Sequence, residues 1–116
     1  MEVCTVGGFE EVGKNMTAVK IDEDVFLFDA GLYLPGVIEL QDKLDVKSYS
    51  EANLRRAGGI PADKVLDKLG WTPKVKAIFI SHAHLDHVGG VPYIAHRYPN
   101  AIIYGTPYTI EVLKSI

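Results

Sequence analysis

The 116-residue sequence predicts an α/β fold. Three observations carry that expectation. Short runs rich in β-branched and aromatic residues recur along the chain, stretches with helical apolar spacing fall between them, and a histidine-rich stretch follows one of the runs. That last position is where open α/β sheets hold their ligands, outside the carboxyl ends of the strands. No repeat or low-complexity tract interrupts the pattern.

Residues 1–6 and 16–21 read as strands, Asp22-Glu23-Asp24 as a hairpin turn, and residues 25–28 as a third strand, making a meander. From Leu34 to Pro61 prolines, glycines and scattered charges replace periodicity. An irregular, disordered segment is therefore expected over about residues 35–61. Residues 62–69 place Val65, Leu66 and Leu69 at helical spacing before Gly70, which predicts a short helix. Val75, Ala77, Ile78, Phe79 and Ile80 then form a buried strand. A second helix is expected over residues 92–98, opened by Val91-Pro92, and a further strand over residues 101–104. Thr106 is placed to cap a third helix that carries Pro107 at its first position.

The composition is that of a soluble globule, 47% hydrophobic and 23% charged. No apolar run approaches the length of a membrane span and no signal-peptide pattern opens the chain, so a cytoplasmic location without membrane contact is expected. The single cysteine, Cys4, alternates with apolar neighbours and reads as a packed thiol. A net charge of -3 gives no bulk attraction to nucleic acid. A polyanionic substrate would have to be attracted locally.

Residues 81–90 read Ser-His-Ala-His-Leu-Asp-His-Val-Gly-Gly and gather three of the four histidines with a carboxylate. Imidazole and carboxylate suit zinc, with manganese or iron as alternatives, and the lack of cysteine in the cluster points to a catalytic rather than a structural ion. A purely structural role would leave such groups at the end of an apolar run, where an unsatisfied imidazole or carboxylate is costly to bury. An irregular loop could aim alternate side chains His82 and His84 to one side, toward a first metal. Asp86 and His87 are adjacent and cannot join them on one face of an extended segment, so a second cation is their natural partner. Gly89 and Gly90 let the backbone turn close to the site.

The pattern His82-x-His84-x-Asp86-His87 followed by Gly89-Gly90, after an Asp-Ala-Gly turn at Asp29, resembles the metallo-β-lactamase superfamily. The opening Gly7-Gly8-Phe9-Glu10-Glu11-Val12-Gly13-Lys14-Asn15-Met16 is similar to the β-CASP branch, and most similar to the ribonuclease J family, archaeal forms especially. The resemblance implies the N-terminal half of an αββα four-layer sandwich, a mixed sheet with flanking helices, so that residues 1–116 form a partial domain. It implies a hydrolase that cuts RNA phosphodiester bonds with two metals, commonly zinc, and hydroxide as nucleophile. His82 and His84 would bind one ion, Asp86 and His87 the other. Asp86 and His87 are the catalytic candidates by the same resemblance. Asp29 would support the site through hydrogen bonds rather than bind metal.

The family's remaining ligands would lie beyond residue 116, so these residues alone are expected to bind metal weakly and to lack useful nuclease activity. An apolar sheet face without its partner is expected to drive homo-oligomerisation. His96, within the second helix, reads as a surface or packing residue. Lys14 and Asn15 sit in a glycine-bounded turn where a backbone role competes with a phosphate contact, and Arg55 and Arg56 read as solvated. Trp71, Tyr93 and Tyr98 are expected to pack rather than to stack on bases. Two other readings remain: a glyoxalase II-like, lactonase or tRNA-processing member of the superfamily, or a non-catalytic metal-binding module.

Overall fold

The computed structural model describes residues 1–8, 13–33 and 50–115. Five strands make one mixed sheet in chain order: β1 (Glu2–Gly7), β2 (Met16–Ile21), β3 (Asp24–Phe28), β4 (Val75–Phe79) and β5 (Ile102–Tyr104). The first three form the expected antiparallel meander, with Cys4 opposite Ala18 and Ala18 opposite Leu27. Its tight turn has Asp22 in the left-handed region at φ 53°, a conformation that aspartate tolerates better than most residues. After β3 the sheet becomes parallel. Phe28 lies opposite Phe79 and Phe79 opposite Tyr104, so three carboxyl ends emerge side by side at one edge.

Strand alternation divides the sheet into two unlike faces. Ala18, Leu27 and Ile78 point into a core completed by helix residues. Leu54 comes from α1 (Glu51–Ala57), Leu66 from α2 (Val65–Leu69), Val88 from α3 (Leu85–Val88), and Val91 and Ile94 from α4 (Val91–Ile94). Each fully buried leucine or isoleucine contributes about 1.5–3 kcal/mol. Trp71 and Tyr98 are buried in the same core, and Cys4 and Tyr93 pack against it. On the other face, Val3, Phe28, Ile102 and Tyr104 are 57%, 43%, 59% and 47% exposed. Phe28, Phe79 and Tyr104 stack across three strands there, with ring centroids 5.3 and 5.1 Å apart. Among the described residues no helix is long and apolar enough to cross a membrane.

The irregular chain expected over residues 35–61 does not extend to its end. Residues 51–57 form α1, while residues 34–49 lie outside the described residues. The local causes are ordinary helix signals at short range. Ser50 Oγ accepts the Asn53 N–H at 3.1 Å, Glu51 pairs with Arg55 at 2.9 Å one turn on, and Gly58 takes the left-handed terminating position at φ 73°. Arg55 is likewise not solvated. The expected helix over residues 62–69 begins only at Val65, and the one over 92–98 ends as α4 with a 3-10 turn at Ala95–Arg97. Thr106 accepts the Thr109 N–H at 3.1 Å and caps α5 (Pro107–Ser115), as its sequence indicates.

The helical side is held by a buried carboxylate. Asp63 is fully buried, 2.5 Å from Arg97 Nη1, and accepts the Tyr98 hydroxyl at 2.5 Å. Arg55 Nη1 lies 2.6 Å from the other oxygen as an ion pair rather than an aligned hydrogen bond. Burial pushes the Tyr98 phenol pKa up and the neighbouring Asp63 charge adds to it. Arg97 also reaches Asp67 at 2.6 Å. His96 is exposed and pairs with Glu51 at 2.6 Å. Burial would raise the Glu51 carboxyl, but hydrogen bonds from His96 and Arg55 hold it below its ordinary value. Asp63→Asn leaves two guanidiniums without their shared charge, so chemical denaturation is expected to show a loss of about 3–5 kcal/mol.

Candidate metal centre

Parallel pairing of β3 and β4 decides where the functional side chains meet. Asp29 follows β3 and donates its N–H to the Phe79 carbonyl at 2.8 Å, in the left-handed region at φ 68°. Ser81 lies just beyond β4. The Asp29 carboxylate therefore accepts from the Ser81 amide at 2.7 Å and from its hydroxyl at 2.8 and 3.0 Å. It also lies 2.9 Å from His87 Nδ1. Side-chain exposure is 13% for Asp29, 23% for His87 and 34% for Asp86, and His82 and His84 are exposed.

This network selects tautomers. An ionised carboxylate only accepts hydrogen bonds, so the single Ser81 hydroxyl proton and the His87 Nδ1–H both point at Asp29. Ser81 Oγ is also 3.0 Å from His82 Nδ1; with its proton already committed, it accepts from that nitrogen. His82 and His87 each then keep their lone pair on Nε2, one of the two neutral forms that ligate metals. Their ring centroids are 4.6 Å apart, and those of His82 and His84 are 6.1 Å apart. His87 Nε2 lies 3.6 Å from Asp86 Oδ2. Ser81 was not among the sequence candidates. Its signal was its position, a hydroxyl between a buried strand and the first histidine.

Asp86 and His87 do not lie in an extended loop, as expected from sequence, but in the four-residue α3. So short a helix cannot satisfy its own carbonyls. The chain running past Asp29 supplies further donors: Leu32 N–H donates to Leu85 O at 2.8 Å, beside the Gly89 N–H at 2.9 Å, and Ala30 N–H donates to His87 O at 2.8 Å. Asn15 serves Asp86 O between them, from its amide at 3.2 Å and its side-chain Nδ2 at 2.7 Å. Gly90 N–H returns to Ala30 O at 2.7 Å. A Cβ on Gly90 would lie 2.8 Å from Gly31 O, so this glycine serves the close approach of two backbones. The Asn15 side chain is turned inward onto Asp86, and Lys14 lies over the Tyr33 ring at 5.4 Å.

The donors are three imidazoles and a carboxylate without sulfur, with the ring nitrogens of two histidines already oriented, which fits a divalent ion of the zinc class. The fit is chemical and incomplete. Among the described residues no three histidine, cysteine, aspartate or glutamate side chains close into a group that could hold a metal ion.

A family model described as the Metallo-beta-lactamase superfamily matches residues 10–114. Ribonuclease J of Methanocaldococcus jannaschii is 46% identical over 114 residues, covering 98% of this chain and 25% of the relative. Ribonuclease J of Pyrococcus abyssi is 44% identical over 115 residues, covering 99% and 24% respectively. Ribonuclease J of Mycoplasma pneumoniae is 34% identical over 103 residues, covering 89% and 15%. The chain thus spans about a quarter of the length of the first two.

Asp29→Ala removes the acceptor that selects the His87 tautomer. Long-range 1H–15N NMR spectra of the metal-free chain are expected to show His87 passing from the Nδ1–H form to a mixture richer in Nε2–H. An unchanged spectrum would mean that Asp29 does not orient this ring.

Proposed function

The chain belongs to the metallo-beta-lactamase superfamily, and we propose that it supplies the metal-holding part of a ribonuclease that hydrolyses RNA phosphodiester bonds. The likeness to Ribonuclease J supports the substrate class. The observation that carries the chemistry is the Asp29 and Ser81 network, which leaves the Nε2 atoms of His82 and His87 ready as ligands beside Asp86.

In this reading His82 and His84 hold one divalent ion, Asp86 and His87 a second, and zinc is the favoured ion with manganese as the alternative. Bound ions supply a water of lowered pKa and positive charge against phosphate oxygens. The protein's part is orientation. Asp29 fixes the His87 ring, Ser81 links Asp29 to His82, and the part-exposed Asp86 carboxylate accepts a proton from the water it orients. With one carboxylate and three imidazoles for two dications, charge compensation is poor, so these 116 residues alone bind zinc weakly and do not cut RNA. We place the protein in the cytoplasm, in keeping with its composition.

A test compares this chain with a longer protein that contains it and resembles Ribonuclease J throughout, on 5′-monophosphorylated RNA with added zinc or manganese. The longer protein is expected to degrade RNA, and Asp86→Ala to slow it by about 10²–10⁴-fold. Hydrolysis of a thioester, lactone or transfer-RNA precursor in place of general RNA would overturn the proposal.

The exposed sheet face supports self-association of the chain. Sedimentation is expected to show dimers or larger species at micromolar concentration, with Tyr104→Lys shifting the chain toward monomer. A monomer at all concentrations would contradict this.

A further inference from the structure

The metal-centre reading leaves one residue without a task, although two of its hydrogen bonds end on the peptide of a proposed ligand. The Asp86 carbonyl accepts from both nitrogens of Asn15, the amide at 3.2 Å and Nδ2 at 2.7 Å, across 71 residues of sequence. Asn15 is itself held, because its carbonyl accepts the Gly31 N–H at 3.1 Å. Space for the arrangement comes from two glycines. A Cβ on Gly31 would lie 1.8 Å from Asp86 O, and one on Gly8 would lie 2.3 Å from Asn15 Oδ1. Gly31 does not need a positive φ, so its requirement is the closeness of the carbonyl alone.

Residue chemistry at this position is narrow. Aspartate is nearly the same shape but, ionised, cannot donate and would set a negative oxygen against the carbonyl. Alanine and serine do not reach. Glutamine is one methylene too long for a socket closed by Gly8 and Gly31.

Resting on the ribonuclease reading above, we infer that Asn15 is a positioning residue for the metal centre, setting the rotation of α3 so that Asp86 and His87 face the other donors. A four-residue helix has too few internal bonds to define its own rotation. Asn15 holds it at the Asp86 peptide, between the Leu32 and Ala30 amides on the flanking carbonyls, and Asp29 holds it at the His87 ring. The Gly-Lys-Asn turn thus acts through the backbone of the ligand turn and not on substrate.

The first readout needs no metal. In metal-free Asn15→Ala, amide hydrogen exchange at Val88 and Gly89, which close the α3 turn on His84 and Leu85, is expected to rise about ten-fold relative to Ala77 and Ile78 in β4. Tyr98→Phe, which removes a buried hydrogen bond at Asp63, controls for general loss of stability and should leave that ratio unchanged. The second readout is Co2+ titration followed by visible absorption, made on the longer protein that contains this chain and resembles Ribonuclease J throughout, since these 116 residues alone bind metal weakly. Asn15→Ala and Asn15→Asp are expected to weaken binding about ten-fold or more, and Tyr98→Phe is not. An unchanged exchange ratio in Asn15→Ala overturns the inference, as does a changed ratio with wild-type Co2+ affinity. A changed ratio, with no Co2+ bound by the longer protein with or without the substitution, upholds the clamp and overturns the metal reading instead.

Discussion

Everything at the candidate centre depends on the parallel register between β3 and β4. Because Phe28 pairs with Phe79, the residues that follow each strand leave the sheet together, and the Asp29 carboxylate meets the Ser81 amide and hydroxyl. That one carboxylate then orders two imidazoles, directly at His87 and through Ser81 at His82. A register slip of one residue would turn the pairs to opposite faces and separate the groups. The sheet is thus more than a support, since its pairing specifies which ring nitrogens are left for a ligand.

The fold was largely readable from residue order because its signals are local. Strand alternation, the Asp22 turn, the Thr106 cap and the Gly70 stop each act within a few positions, and each appears where the sequence indicates it. One of the two helices not evident from sequence, α1, was hidden by composition; the other is α3. The α1 segment reads as charged and is followed by two glycines and a proline, yet Ser50, the Glu51–Arg55 pair and Gly58 supply a complete short helix. What the sequence could not show was that Arg55 would be neutralised from a distance by Asp63. A guanidinium in an apparently polar loop looks solvated until its partner is known.

At the centre, the residue types were legible and the arrangement was not. Four donors in six positions are conspicuous in one dimension. The placement of two of them, Asp86 and His87, on a four-residue helix is accompanied by hydrogen bonds from residues 15, 30 and 32, which no local pattern encodes. Ser81 and Asn15 were overlooked or undervalued for the same reason. Each is an ordinary polar residue whose importance comes from what the fold places opposite it.

The sequence distances spanned at the centre also bear on how the molecule assembles. Asp29 meets Ser81 across 52 residues and Asn15 meets Asp86 across 71, whereas α3 is too brief to persist unaided. Closing loops of that size costs chain entropy that only a formed hydrophobic core offsets. The distant supports of the candidate donors are therefore expected to converge late in folding and to part early when the structure loosens.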